Sequence, residues 1–315
     1  MRRAMCLFLL VLAGCGRDSE VSSSDDANGG SDGGGGGDTA DATSDAGTDS
    51  GSDAAVDAPA DAGIDAPIGP ANGSTGCGKV AGIASGTWVK RSIDVNGTRD
   101  LWVWLPANYD PARAYPIIYQ LHGCSSSPNR ETNNVPVQNQ VGANAITVRG
   151  RAAANCWDTA TTGPDVPYFD AMLTDVENAF CVDTTRRFLT GYSSGAFMTH
   201  RMACLRGDKL RGVATIAGGQ SGSNCTGNVA ALLIHDLNDT TVNISHSEQA
   251  RDNHLTRNGC TNPRSTTPID PSPCVEYAGC AAGKRVVWCQ TTGQNHSRQD
   301  AFAAPLFWSF ISANF

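Results

Sequence analysis

The sequence predicts an α/β fold: a mostly parallel central sheet with helices on both faces, and an antiparallel hairpin at one edge. Three observations predict it. Short continuous apolar runs, the pattern of strands buried on both faces, recur along the chain. Segments of helical periodicity separate them. One pair of alternating segments is joined by Asn96-Gly97, a dipeptide suited to a type I′ hairpin turn.

The elements follow in order. Ser92–Val95 and Leu101–Leu105 flank the Asn-Gly turn and form the hairpin. Pro116–Leu121 is the first buried strand. Further strands are expected at Ala145–Val148, Arg187–Thr190, Gly212–Ala217, Ala230–Ile234 and Arg285–Cys289. Helices are expected near Tyr168–Phe180, Gly195–Leu205, Ser245–Asn258 and Ala304–Asn314.

The chemistry sits where a strand meets a helix. Gly191-Tyr192-Ser193-Ser194-Gly195 fits G-x-S-x-G between the strand at Arg187–Thr190 and a helical segment. That is the context of a nucleophile elbow, so the predicted fold is the α/β-hydrolase fold with Ser193 as nucleophile. The elbow also turns the Ser194 backbone N–H towards a developing oxyanion. Leu121-His122-Gly123-Cys124 ends the first buried strand, where this fold supplies a second oxyanion N–H; Cys124 is the expected donor and His122 is structural.

A serine needs a base and an orienting acid, in the chain order Ser, acid, His. His235-Asp236-Leu237-Asn238-Asp239 follows the strand where the acid belongs; Asp239 is preferred over Asp236 because it lies further into the loop. Only His296 follows the last strand, so it is the expected base, and the other five histidines read as core, surface or loop residues.

Composition separates the rest of the chain. Of 315 residues 40% are hydrophobic, enough for one domain of about 250 residues. Gly16 to Pro70 holds 13 acidic residues and one basic one, a net of −12, while the body from Ala71 carries +2 of the overall −8. A near-neutral body gives no electrostatic reason to expect nucleic acid. Arg2 and Arg3 precede a short apolar run, Cys6–Leu12, too short for a permanent membrane helix. It ends in Leu12-Ala13-Gly14-Cys15, which resembles the lipobox of bacterial lipoproteins. That resemblance implies cleavage before Cys15, lipidation of Cys15 and, with Gly16 next, an outer-membrane location. The expected organisation is residues 1–15 signal peptide, 16–76 a solvated Asp/Gly/Ala/Ser-rich linker, and 77–315 the folded domain. The Asp recurrence from Asp41 to Asp65 lacks the spacing of a calcium-binding repeat.

Ten cysteines remain after Cys6 and Cys15, so a disulfide framework is expected, with Cys260–Cys289 and Cys274–Cys280 as the proposed pairs. With no C-x-x-C, neither a metal nor any other cofactor is expected.

Residues 77–315 resemble the feruloyl esterase/polyhydroxybutyrate depolymerase family of carbohydrate esterases. The matching pieces are Gly76-Cys77-Gly78, Thr98-Arg99, Pro106-Ala107-Asn108-Tyr109-Asp110, His122-Gly123-Cys124, Asn155-Cys156-Trp157, Cys181-Val182-Asp183, Asn238-Asp239, Asn258-Gly259-Cys260 and Trp288-Cys289. The resemblance implies a serine esterase working through Ser193, Asp239 and His296. Three positions depart from the family pattern: Asp236 and Ala196, each where a glycine is usual, and Gln294-Asn295 where Gly-Gly precedes the histidine.

The leading expectation is a monomeric esterase on feruloyl or acetyl esters of plant cell-wall polysaccharide, touching a membrane only through the lipid anchor. Trp157 and Trp288 are expected to flank an aryl acyl group, and an end at Phe315 directly after the closing helix favours soluble esters. The alternatives are a short-chain polyhydroxyalkanoate depolymerase and an inactive surface-binding lipoprotein.

Overall fold

A computed structural model describes residues 70–219 and 225–315. Cys15, the signal segment and nearly all of the linker lie outside the described residues. Ten strands form one sheet: β1 (Trp88–Asp94), β2 (Thr98–Trp104), β3 (Tyr115–Leu121), β4 (Ile146–Gly150), β5 (Val182–Tyr192), β6 (Gly212–Ile216), β7 (Ala230–Asp236), β8 (Asn262–Ile269), β9 (Cys274–Ala278) and β10 (Val286–Thr291). Their order is β1-β2-β4-β3-β5-β6-β7-β10-β9-β8. From β4 to β10 every pairing is parallel, and both edges are antiparallel. This is the α/β-hydrolase fold.

The centre forms as its composition dictates: all seven residues of β3, β7 and, at five, β6 are buried, and such strands need cover on both faces. One face is covered by α2 (Asp165–Ala179), α3 (Ser194–Leu205) and α4 (Ser245–Arg257), through Phe169, Met172, Met198, Met202 and Leu255. The other carries α1 (Gln138–Val141) and α5 (Asp300–Ser312), whose Phe307 and Ile311 share one buried cluster with Phe188 and Ile234. In the β1–β2 hairpin Asn96 and Gly97 take positive φ, as the turn requires. Asp94 pairs with Thr98, so Val95 joins the loop as a third residue.

Three expectations change. Strands β8 and β9 at one side of the sheet are additional: β8 is polar and carries two prolines, and β9 is only five residues long with Glu276 at its centre. The folded domain begins before Cys77: Gly73 bridges Asp183, Ser74 Oγ donates to Phe180 O at 2.7 Å, and the Val182 amide donates back to Ser74 Oγ at 3.0 Å. The disulfides are Cys77–Cys181, Cys124–Cys156, Cys204–Cys225, Cys260–Cys280 and Cys274–Cys289. The expected Cys260–Cys289 and Cys274–Cys280 pairs are therefore exchanged. The cause is register: β9 and β10 set Cys274 directly opposite Cys289. Among the described residues no helix is long and apolar enough to cross a membrane, and no group of three potential ligands stands ready for a metal ion.

Candidate active site

β5 runs into α3 through Ser193 alone, whose φ of +52° and ψ of −119° make it a strained non-glycine residue. Close packing holds the strain. A Cβ on Gly191 would lie 2.2 Å from Gly195 O, and one on Gly195 would lie 2.2 Å from Leu121 O. The first turn of α3 thus sits against the end of β3, and only glycine fits at either contact. The Ser193 amide donates to Ile216 O at 3.0 Å, pinning the turn to β6.

The other two groups arrive from the ends of β7 and β10. His296 Nε2 lies 2.9 Å from Ser193 Oγ, and His296 Nδ1 lies 2.7 Å from Asp239 Oδ2. Asp239 Oδ1 accepts from the Thr241 and Val242 amides, each at 2.9 Å. One carboxylate oxygen is left for the imidazole, which places the Nδ1 proton towards Asp239 and the Nε2 lone pair towards the serine. Ser193 is 8% exposed and Asp239 also 8%, so the relay is shielded but reachable.

The loop after β3, where the oxyanion donors are expected, packs against the elbow. Gly123 donates to Asn133 O at 2.8 Å and Ser125 to Asn155 O at 2.9 Å. The Cys124 amide between them has no backbone acceptor among the described residues. Ser194 opens α3, so its N–H is one of the first-turn amides a helix leaves unsatisfied. Ser194 Oγ donates to His122 O at 3.5 Å, which ties the two segments together. His122 is buried, and burial pulls its pKa down to about 4. It is therefore neutral: Nδ1 donates to Gly123 O at 2.7 Å and Nε2 accepts from the Ala152 amide at 3.1 Å.

The two tryptophans expected beside the acyl group are both nearly buried. Trp157 is 6% exposed; its Nε1 donates to His122 O at 3.0 Å, and its ring packs on His122 and Tyr168. Trp288 is 6% exposed in the core under α4, with the Arg251 guanidinium 5.1 Å from its ring. Both pack beside disulfide cysteines, where a buried indole contributes a large apolar area.

Several supporting residues carried no sequence signal. Tyr192 Oη donates to His296 O at 3.2 Å. His235 lies beneath the acid: its Nε2 is 2.9 Å from Val242 O and 3.4 Å from Asp239 Oδ2, and its Nδ1 is 2.6 Å from Ser247 Oγ. Among the described residues the Asp236 carboxylate accepts no hydrogen bond from an imidazole; it is turned into the loop ahead of His296.

No family model matches the chain. It is 33% identical over 273 residues to feruloyl esterase D of Neurospora crassa, covering 78% of this chain and 92% of that one. It is 31% identical over 203 residues to feruloyl esterase C of Emericella nidulans, covering 62% and 72%. In structure it is similar to an acetyl xylan esterase from Aspergillus awamori, with a TM-score of 0.57 at 14% identity over 71% of this chain and 99% of that one, a likeness of fold. With a third of the aligned residues identical along nearly the whole of the Neurospora enzyme, on this fold, the chain belongs to the feruloyl esterase family of carboxylic ester hydrolases.

Proposed function

We propose that the protein is an exported serine esterase that cleaves feruloyl or acetyl esters of plant cell-wall polysaccharide through an acyl-enzyme. The observation that carries this reading is the unbroken line Ser193 Oγ, His296, Asp239, with contacts of 2.9 and 2.7 Å. Ser193 Oγ attacks the ester carbonyl as its proton passes to His296 Nε2. The negative oxygen of the tetrahedral intermediate is met by the Cys124 and Ser194 amides. His296 then protonates the departing sugar oxygen, and the C–O bond breaks. Water, deprotonated by His296, attacks the acyl-serine; its collapse frees the acid and returns the proton to Ser193. No metal or cofactor enters these steps.

The substrate class rests on the names of the fungal relatives. Export rests on the five disulfides, which belong to oxidising compartments. Lipid anchoring at Cys15 rests on the Leu12-Ala13-Gly14-Cys15 sequence alone; Cys15→Ser should move the protein out of the membrane fraction and end fatty-acid labelling. A complete relay with neutral His122 behind it speaks against an inactive binding lipoprotein. The test is a comparison of kcat/KM on methyl ferulate, an acetylated xylo-oligosaccharide and a 3-hydroxybutyrate oligomer, with fluorophosphonate labelling of Ser193. Labelling and preference for one of the first two are expected. Preference for the hydroxybutyrate oligomer would overturn the cell-wall assignment, and absence of labelling would overturn the mechanism.

A further inference from the structure

His296 sits on a loop without regular structure, between Thr291 at the end of β10 and Asp300 at the start of α5. Two of its residues, Asn295 at φ +51° and Gln299 at φ +48°, hold left-handed backbone that side-chain-bearing residues rarely adopt. Such a loop has little intrinsic reason to keep an imidazole fixed between a serine and a carboxylate. Its restraint comes from Asp236, the last residue of β7, which is 1% exposed. Asp236 Oδ2 accepts from Thr291 Oγ1 at 2.9 Å and the Gln294 amide at 3.0 Å. Oδ1 accepts from the Asn295 amide at 3.1 Å and the Asn238 amide at 3.0 Å. Next to it, Asn238 Oδ1 accepts from the Gly293 amide at 2.9 Å. The three consecutive amides of Gly293, Gln294 and Asn295 are thus all bound to the loop that carries the triad acid.

We propose that Asp236 is a positioning residue whose carboxylate clamps the segment ahead of His296 and so holds that ring between Ser193 and Asp239. The proposal rests on the Ser193, His296, Asp239 reading. Four donors on two oxygens suit an ionised carboxylate, since a protonated one would present a donor of its own to a donor. Burial pushes the Asp236 carboxyl up, but the bonds from Gln294, Asn238, Thr291 and Asn295 outweigh it and hold the group below its ordinary value. The clamp also joins the ends of β7 and β10, the neighbouring strands that deliver acid and base, into one unit.

The experiment compares Asp236→Asn, Asp236→Gly, Thr291→Val and Asp239→Asn in the full chain. It measures kcat and KM on p-nitrophenyl acetate, the rate of fluorophosphonate labelling of Ser193, and far-UV circular dichroism. Displacing a catalytic group by about 1 Å costs on the order of 100-fold. Asp236→Gly is therefore expected to lower kcat and the labelling rate together by about 10- to 100-fold at nearly unchanged KM. Asp236→Asn, which keeps one acceptor oxygen, should fall between it and the wild type. Thr291→Val should cost about two- to fivefold, and adding it to Asp236→Asn should cost nothing more, because both act through one carboxylate. A kcat for Asp236→Gly within about twofold of the wild type would overturn the proposal, as would a loss in Asp236→Asn as deep as that in Asp239→Asn. Should the Asp236 variants misfold, an unmoved kcat in Thr291→Val overturns it instead. Full activity in Ser193→Ala would remove the underlying reading, a separate outcome.

Discussion

Asp239 and Asp236 stand three residues apart, both nearly buried, and their partners separate their roles. Asp239 spends one oxygen on two backbone amides and offers the other to His296. Asp236 spends both oxygens on amides and a hydroxyl. On the proposed mechanism, only the first can orient the base and balance the imidazolium that forms in the reaction. Asp239→Asn should therefore lower kcat by about 10⁴-fold, the scale seen when a triad acid becomes an amide in other serine hydrolases. A p-nitrophenyl acetate assay checks this; a loss under about tenfold would mean that another group orients His296. The sequence made Asp239 the better candidate from its place in the loop. It carried no sign of the role proposed for Asp236, because three of its four donors are main-chain N–H groups, two of them 58 and 59 residues later, and an amide leaves no mark in a sequence.

Elements show the same division between apolar pattern and backbone geometry. β3, β6 and β7 were legible because a strand buried on both faces is built mostly from apolar residues. β8 was not, since Asn262–Ile269 includes two prolines, tolerated only because this strand lies at the sheet edge. The exchanged cysteine pairs belong to the same region: without β9 there was no register to set Cys274 against Cys289. The elbow was legible as a motif, and the structure adds why its glycines are obligatory. Gly195→Ala places a methyl carbon 2.2 Å from the Leu121 carbonyl oxygen, backbone against backbone, so α3 must move off β3. Overpacking of this kind costs about 1–3 kcal/mol, and here the displaced turn carries Ser193. The expected result is a lower urea midpoint together with loss of fluorophosphonate labelling. Wild-type labelling in that variant would show that the elbow tolerates the shift.

Across the whole molecule, cross-links and buried histidines govern stability. In the chain-entropy account a disulfide counts for more as its loop lengthens. Cys77–Cys181 closes 104 residues and Cys274–Cys289 only 15. Removing the first pair as Cys77→Ser/Cys181→Ser should cost about 4.7 kcal/mol, against about 3 kcal/mol for Cys274→Ser/Cys289→Ser. Urea titrations rank the two, and the reverse order would contradict the entropic account here. Acid acts through the histidines. Arg257 donates to His254 Nδ1 at 3.2 Å, so His254 Nε2 donates to His200 Nδ1 at 3.1 Å and His200 Nε2 to Thr215 Oγ1 at 3.0 Å. The chain of bonds needs both rings neutral, and burial lowers both, His200 to about 3. His122 is likewise lowered to about 4. The unfolded chain takes up these protons first, near pH 6.5, so stability is full above that value and is lost as pH falls towards 4. Each such histidine contributes about 1.4 kcal/mol per pH unit across that window. The urea midpoint should accordingly drop between pH 7.5 and about 4.5, most of the drop preceding carboxylate protonation; a flat profile over that range would exclude the buried histidines as its cause.

The strap at residues 73–77 also decides how the domain responds to mechanical tension. A pull on the chain ahead of Gly73 meets the Gly73–Asp183 bridge, the two Ser74 bonds and then the Cys77–Cys181 bond, all fastened at the start of β5. Force entering there is delivered to a central strand, held by β3 on one side and β6 on the other. The β1–β2 hairpin, which comes next in the chain and lies at the sheet edge, would peel first in an unstrapped domain; here it is bypassed by a covalent shunt.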